Sequence, residues 1–201
     1  PLVALIRAAY DIVTGGWDAE DVSAYLRTGL AGLTPEETDT LENYVLLWSL
    51  RGGAWTRPEP WRQHPDGYGA PDTDEAAARL AEINDLRRRA ADPLRLLGTE
   101  SHAAATAEAQ AMALADFLER LHLAQRLDTL AEDLRREGRG ALAAEYTQLW
   151  ELTVGALEQF AAILGDTQMD ADTFATLFLR MLSCYDIGTI PVALDRVTAG
   201  D

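Results

Sequence analysis

Side chains that could carry chemistry are few and scattered along this sequence. Three histidines, His64, His102 and His122, lack the spacing of a metal-ligand set and have no cysteine partners. The one cysteine, Cys184, follows Met181 and Leu182 in an amphipathic pattern. It reads as a small buried hydrophobe, and one thiol makes neither an internal disulfide nor a multi-thiolate metal site. The acidic groups Glu36/Glu37/Asp39 and Asp72/Asp74/Glu75 fall at expected helix starts, where the helix dipole accounts for them. No GxSxG elbow, GxGxxG turn or HExxH pair occurs. Lysine is absent altogether; every basic residue is arginine. A Walker A loop needs its lysine on the phosphates, and a Schiff-base enzyme needs an amine. The sequence is therefore expected to hold no catalytic centre, metal or cofactor of its own.

One fragment tests that expectation. Leu194-Asp195-Arg196-Val197 resembles the carboxylate-bearing motif of RecB-type nucleases. Such a site also needs a second acid on an adjoining strand and a lysine close behind. Only Thr198-Ala199-Gly200-Asp201 follows, without lysine, so the nuclease assignment fails.

Charge restricts the partners. Thirty-three acidic against seventeen basic residues give a formal net charge of −16 and a pI near 4.5. A free-standing nucleic-acid binder neutralises phosphates with a basic face, whereas this chain mostly repels them. The local exception is Arg87-Arg88-Arg89, flanked by Arg79 and Arg95. Consecutive arginines spread around a helix, so the plainer reading is a solvated face beside Glu82 and Asp85. Arg79, Arg87, Arg88 and Arg95, with Trp55, Trp61 and Arg196, are nevertheless the candidate contacts to DNA or a protein partner. No apolar stretch approaches the roughly 20 residues of a membrane span, and the start lacks a signal peptide's basic region and cleavage site. A soluble, cytoplasmic protein without a membrane partner is expected.

The elements that must position these residues are helices, seven or eight of them, giving a mainly α fold. At 201 residues the chain is long enough for a substantial core. Apolar residues recur at helical period over 2–13, and Asp18 is placed to cap a helix from 19 to about 27, with Val22, Tyr25 and Leu26 inward. Thr34-Pro35-Glu36-Glu37 is a capping box with proline at the first position, opening a helix to about 50. Four prolines and four glycines then break all periodicity over 52–72. This long loop carries Trp55, Trp61 and Tyr68, which would either stack on a base or partner or pin the loop to the helices. A long helix with Pro93 inside it follows Thr73, then helices over 103–121, 123–136, 141–164 and 171–184. On the fourth of these, Leu142, Tyr146, Leu149, Thr153, Leu157, Phe160 and Ile163 are expected to share one face; on the last, Phe174, Leu177, Phe178 and Met181. Residues 187–201 change texture and read as a loop and short strand.

Three stretches in order carry a resemblance. They are Tyr25-Leu26-Arg27-Thr28-Gly29-Leu30 with Leu41-Glu42-Asn43-Tyr44-Val45-Leu46 and the turn before Trp55; Ile83-Asn84-Asp85-Leu86-Arg87; and Gly188-Thr189-Ile190-Pro191 with Leu194-Asp195-Arg196-Val197. Together they resemble the middle of the AddB (RexB-type) family, the B subunits of bacterial ATP-dependent helicase–nucleases. The resemblance covers nearly the whole chain. It implies a helical accessory insert of a superfamily 1 helicase-like domain over 1–186, with 187–201 re-entering the parent core. It also implies a non-catalytic part in DNA double-strand-break repair and recombination, positioning DNA or bracing the A-type helicase–nuclease subunit. The partners would be the remaining domains of the parent subunit, that A-type subunit and DNA through the whole complex, in a bacterial, nucleoid-associated setting. ATP, Mg2+ and an iron–sulfur cluster would be held elsewhere in the complex, and Cys184 matches no cluster cysteine. A chain that begins at Pro1 and ends within a motif reads as a segment excised from a longer protein. The rival reading is a stand-alone acidic helical adaptor that binds proteins through the 52–72 loop.

Overall fold

Helix starts follow the caps written into the sequence. Thr34 accepts from the Glu37 N–H (3.2 Å) while the Glu37 carboxylate accepts from the Thr34 N–H (2.8 Å), and Pro35 takes the first position. Thr73 and Thr106 accept from backbone N–H groups three residues on, and Asp170 accepts from Thr173 N–H. Asp18 corrects the expected pattern: it occupies the cap position, but its side chain makes no cap hydrogen bond. Glu20 and Asp21 in the first turn supply the negative charge that the helix dipole favours there.

A computed structural model describes residues 1–184. Among them the chain forms α1 (Leu2–Gly15), α2 (Ala19–Leu26), α3 (Pro35–Trp48), α4 (Gly53–Thr56), α5 (Asp74–Ala103), α6 (Ala107–Arg120), α7 (Leu123–Arg136), α8 (Gly140–Leu164) and α9 (Ala171–Cys184). The described residues hold no strand, only an isolated antiparallel bridge between Thr106 and Gln168. The fold is mainly α, as expected. The strand-like end, with Pro191, Asp195 and Arg196, lies outside the described residues.

The 30-residue α5 is the spine, about 45 Å long at the usual rise per residue. It packs against α1, α3, α4 and α6; α1 also meets α2 and α9, while α6 meets α7, α8 and α9. One continuous apolar core runs through these contacts, from Leu5, Ile6 and Ile12 of α1 past Leu94 and Leu97 of α5 to Phe117, Phe174 and Phe178. Phe160, Phe174 and Phe178 form an aromatic triad with centroids 5.1 to 5.8 Å apart. No helix of the described residues is long and apolar enough to cross a membrane.

The outline departs from the sequence pattern in four places. The helix expected to start at Ala103 begins instead at Ala107 under a Thr106 cap, because α5 runs on through Ala103 and the break falls over 104–106. Backbone bonds hold that break open: Ala107 N–H donates to Thr167 O, and Met169 N–H to Ala105 O. The buried Gln110 carboxamide adds to them by donating to the Ser101 and Ala104 carbonyls (2.8 and 3.0 Å). On α8 the inward face drifts by the mismatch between 3.6 and 3.5, so Leu164 packs on the core and Ile163 is 69% exposed. On α9 the inward residues are Phe174, Ala175, Phe178, Leu179 and Leu182, leaving Leu177 partly exposed. Cys184 lies about 200° around the helix from Leu182 and is exposed rather than buried.

Candidate functional site

The motif residues converge on one assembly that ties the 52–72 loop to α3 and α5. Trp61 is its centre. Asn84 on α5 reads the Trp61 backbone twice, accepting from its N–H (2.8 Å) and donating to its carbonyl (3.0 Å). The Trp61 indole N–H donates to Ala54 O (2.9 Å), the Tyr44 ring stacks on Trp61 at 5.4 Å, and Trp55 meets it edge-on at 5.1 Å. Arg87, buried on α5, donates to three carbonyls of the same loop: Glu59 (2.8 Å), Trp55 (3.1 Å) and Arg57 (2.5 Å). Its guanidinium carbon lies 5.0 Å from the Trp61 ring centroid. Of the two uses weighed for Trp55 and Trp61, the structure shows the pinning one: both are 1% exposed.

The rest of the loop is held by the same means. Tyr44 donates to Gln63 O and Trp48 to His64 O; His64 accepts from Asp66 N–H at Nδ1 and reaches Pro71 O through Nε2. Arg79 pairs with Asp66 at 2.6 Å, fastening the loop's far end to α5. Beside this assembly, Arg27 and Glu42 join α2 to α3 by a two-pronged ion pair, which Ser23 completes by donating to the same carboxylate. Thr28 turns the chain after α2 by donating to Tyr25 O and accepting from Leu30 N–H. Asn43 faces solvent.

A cleft of about 580 Å³ opens where the loop leaves α5. Trp55, Arg57, Pro58 and Pro60 line it from the loop, and Asn84, Arg87, Arg88, Asp92 and Arg95 from α5. Four arginines thus face one lining aspartate, within a chain of net charge −16. Burial, followed by the positive charges of Arg57 and Arg95, pulls the Arg87 pKa below its ordinary value, and Asp92 and Glu59 only partly oppose this. Arg88 and Arg95 hold exposed i,i+3 pairs with Asp85 and Asp92. Such pairs are each worth only about 0.2–1 kcal/mol and exchange partners readily. Arg57 is exposed and has no carboxylate partner among the described residues. The Trp55 indole N–H is buried and has no acceptor among the described residues.

Four predicted contact residues, Trp55, Arg87, Arg88 and Arg95, therefore meet at one place. Arg79 and Trp61 belong to the loop attachment, and Arg196 lies outside the described residues. Arg89, between them in sequence, faces the other way and pairs with Glu37 on α3. Sequence reasoning missed Arg57, whose only signal was a basic residue before proline in a loop already flagged as functional. The described residues contain no group of three or more metal-ligating side chains, and lone Cys184 cannot supply a cluster's four thiolates. This stretch therefore does not fit the metal ion and iron–sulfur cluster of the resembling family.

No family model matches the chain. Comparison with curated proteins finds it similar throughout to the second, B-type subunit of ATP-dependent helicase/deoxyribonuclease. The relative from Clostridium botulinum strain Hall is 34% identical over 202 residues, covering 100% of this chain and 17% of the relative. That from Desulforudis audaxviator is 34% identical over 210 residues, covering 100% and 18%. That from Acetivibrio thermocellus is 32% identical over 201 residues, again 100% and 18%. The chain thus spans about a sixth of the length of these relatives.

Proposed function

We propose, from the premise that this chain is homologous over its whole length to a segment of the B-type helicase/deoxyribonuclease subunit, that it acts as a non-catalytic helical accessory unit of a DNA-break-processing helicase–nuclease. The observation that carries the reading is where the family-like residues go. Arg27, Thr28, Glu42, Tyr44, Trp55, Asn84 and Arg87 are spent on joining α2, α3, the 52–72 loop and α5. Motif residues used for architecture make a unit whose task is shape, which suits positioning DNA or bracing an A-type subunit. The outer side of α3 adds exposed Leu46 and Leu47, with Tyr68 of the loop 95% exposed nearby. Apolar surface of this kind favours a protein contact.

The test places Asn84→Ala and Arg87→Ala in the complete B-type subunit, coexpressed with its A-type partner. The expected result is weaker copurification or weaker binding to DNA ends, with normal turnover in whatever complex assembles on DNA. Normal assembly and DNA-end binding, with turnover as low as in a catalytic-residue knockout, would contradict an accessory role. The stand-alone adaptor is favoured by the same exposed patch, and it instead predicts capture of a partner through Leu46, Leu47 and Tyr68 without any subunit context.

A further inference from the structure

We infer that the cleft between the 57–60 segment and α5 is a phosphate-recognition site that takes a phosphodiester of single-stranded nucleic acid. Three features of the cleft bear on this. Its lining sets Arg57, Arg87, Arg88 and Arg95 against Asp92 alone, a local excess of positive charge opposite in sign to the chain as a whole. Arg57 has no carboxylate partner among the described residues, and Arg88 and Arg95 hold only exposed pairs, so a phosphate can recruit all three at little cost. Arg87 is different: three carbonyls occupy its Nη donors and it is nearly buried, so it adds a fixed positive charge behind the cleft wall. The second feature is Trp55, which belongs to the cleft lining and whose buried indole N–H has no acceptor among the described residues. Thirdly, Pro58, Pro60, Ala81 and Ala91 add apolar surface to the lining beside Trp55. A compact inorganic anion has no use for such a wall, whereas a sugar and base attached to the phosphate do.

The overall charge of −16 sets the scale. The surrounding field repels a polyanion, so binding by this chain alone is weak and confined to the cleft. Occupying one or two phosphates, it falls with salt at a log–log slope of about −0.7 to −1.4, far shallower than for a protein with a basic face. The choice of phosphodiester over other anions rests on the proposed role in DNA processing, whereas the anion site itself rests on the cleft.

The chain carries five tryptophans, whose indole N–H signals can be followed separately by NMR. Titration of the full chain with a short single-stranded oligodeoxythymidylate at low salt is expected to move the Trp55 indole signal and leave Trp150 unmoved. Arg57→Ala with Arg95→Ala should weaken that binding at least about tenfold, while Arg136→Ala on α7 leaves it unchanged. Both cleft positions are exposed, so the double variant should melt like the wild type. Inorganic phosphate should bind more weakly than the oligonucleotide, and polyglutamate should not compete. A still Trp55 signal at millimolar oligonucleotide, or undiminished affinity in the double variant, overturns the site. Equal binding of inorganic phosphate or polyglutamate overturns its assignment to nucleic acid. None of these results touches subunit assembly, so failure of the cleft and failure of the accessory role are read separately.

Discussion

Replacing Arg87 by alanine should detach the 52–72 loop from α5. Three carbonyls, of Trp55, Arg57 and Glu59, lose their shared donor. A buried acceptor left without a partner costs about 1–3 kcal/mol. The bond to Trp55 is buried and belongs at the upper end, whereas the other two are partly open to water and belong near the lower end. Loss of the cation–π contact with Trp61 adds about 0.5–1 kcal/mol. Against this, the chain no longer desolvates a charge that also faces Arg57 and Arg95, a relief on the order of 1–2 kcal/mol. The net destabilisation is about 3.5–5 kcal/mol, a large share of the usual 5–15 kcal/mol of a domain. Urea unfolding followed by tryptophan fluorescence measures it, because Trp55 and Trp61 lie at the point of failure. Arg87→Lys keeps the charge but not the planar fork, and should recover less than half of the loss. A cost under about 1 kcal/mol for alanine, or full stability with lysine, would show that the loop is held mainly by its aromatic packing.

Four further outcomes can be read by the same unfolding measurement. Gln110→Leu leaves the carbonyls of Ser101 and Ala104 without their donor at the α5–α6 break and should cost about 2–4 kcal/mol. Gly165→Ala would set a Cβ 2.6 Å from the Ala161 carbonyl oxygen, so the backbone must shift, at about 1–3 kcal/mol. Ser49 ends α3 at φ 50°, and Ser49→Gly should add up to about 1 kcal/mol by removing left-handed strain. The hydrogen bond from Arg89, then that from Thr34 N–H, holds the Glu37 carboxyl below its usual range. Glu37→Gln should therefore cost about 1 kcal/mol at pH 7. Because the folded pKa is the lower one, the difference from wild type is full above the unfolded value near 4.3 and closes as pH falls through the folded pKa.

What the sequence made legible was local. Thr34-Pro35-Glu36-Glu37 wrote its capping box into four residues, and Val22, Tyr25 and Leu26, expected inward on α2, are all buried. The misplaced features depend on partners far along the chain. The α5–α6 break falls after Ala103 and not before it where Thr167 and Met169, some sixty residues away, bond to Ala107 and Ala105. The site was legible as residues but not as roles. Arg87 looked like one of three interchangeable arginines, yet neighbouring positions on one helix point in different directions. Arg87 turns into the loop, Arg88 lines the cleft, and Arg89 reaches α3. Arg57 could be joined to them only by knowing how the proline-rich loop folds back on α5.

Pro93 gives α5 an uneven stiffness. In the interior of the helix each carbonyl is met by an N–H one turn on, but Pro93 has none to offer Arg89. A rod about 45 Å long with one weakened joint flexes at that joint before it flexes anywhere else. The joint falls between Arg88 and Arg95, inside the stretch of helix that forms the cleft wall. The end of α5 that packs on α6 and the end that carries the loop therefore lie on opposite sides of the missing bond.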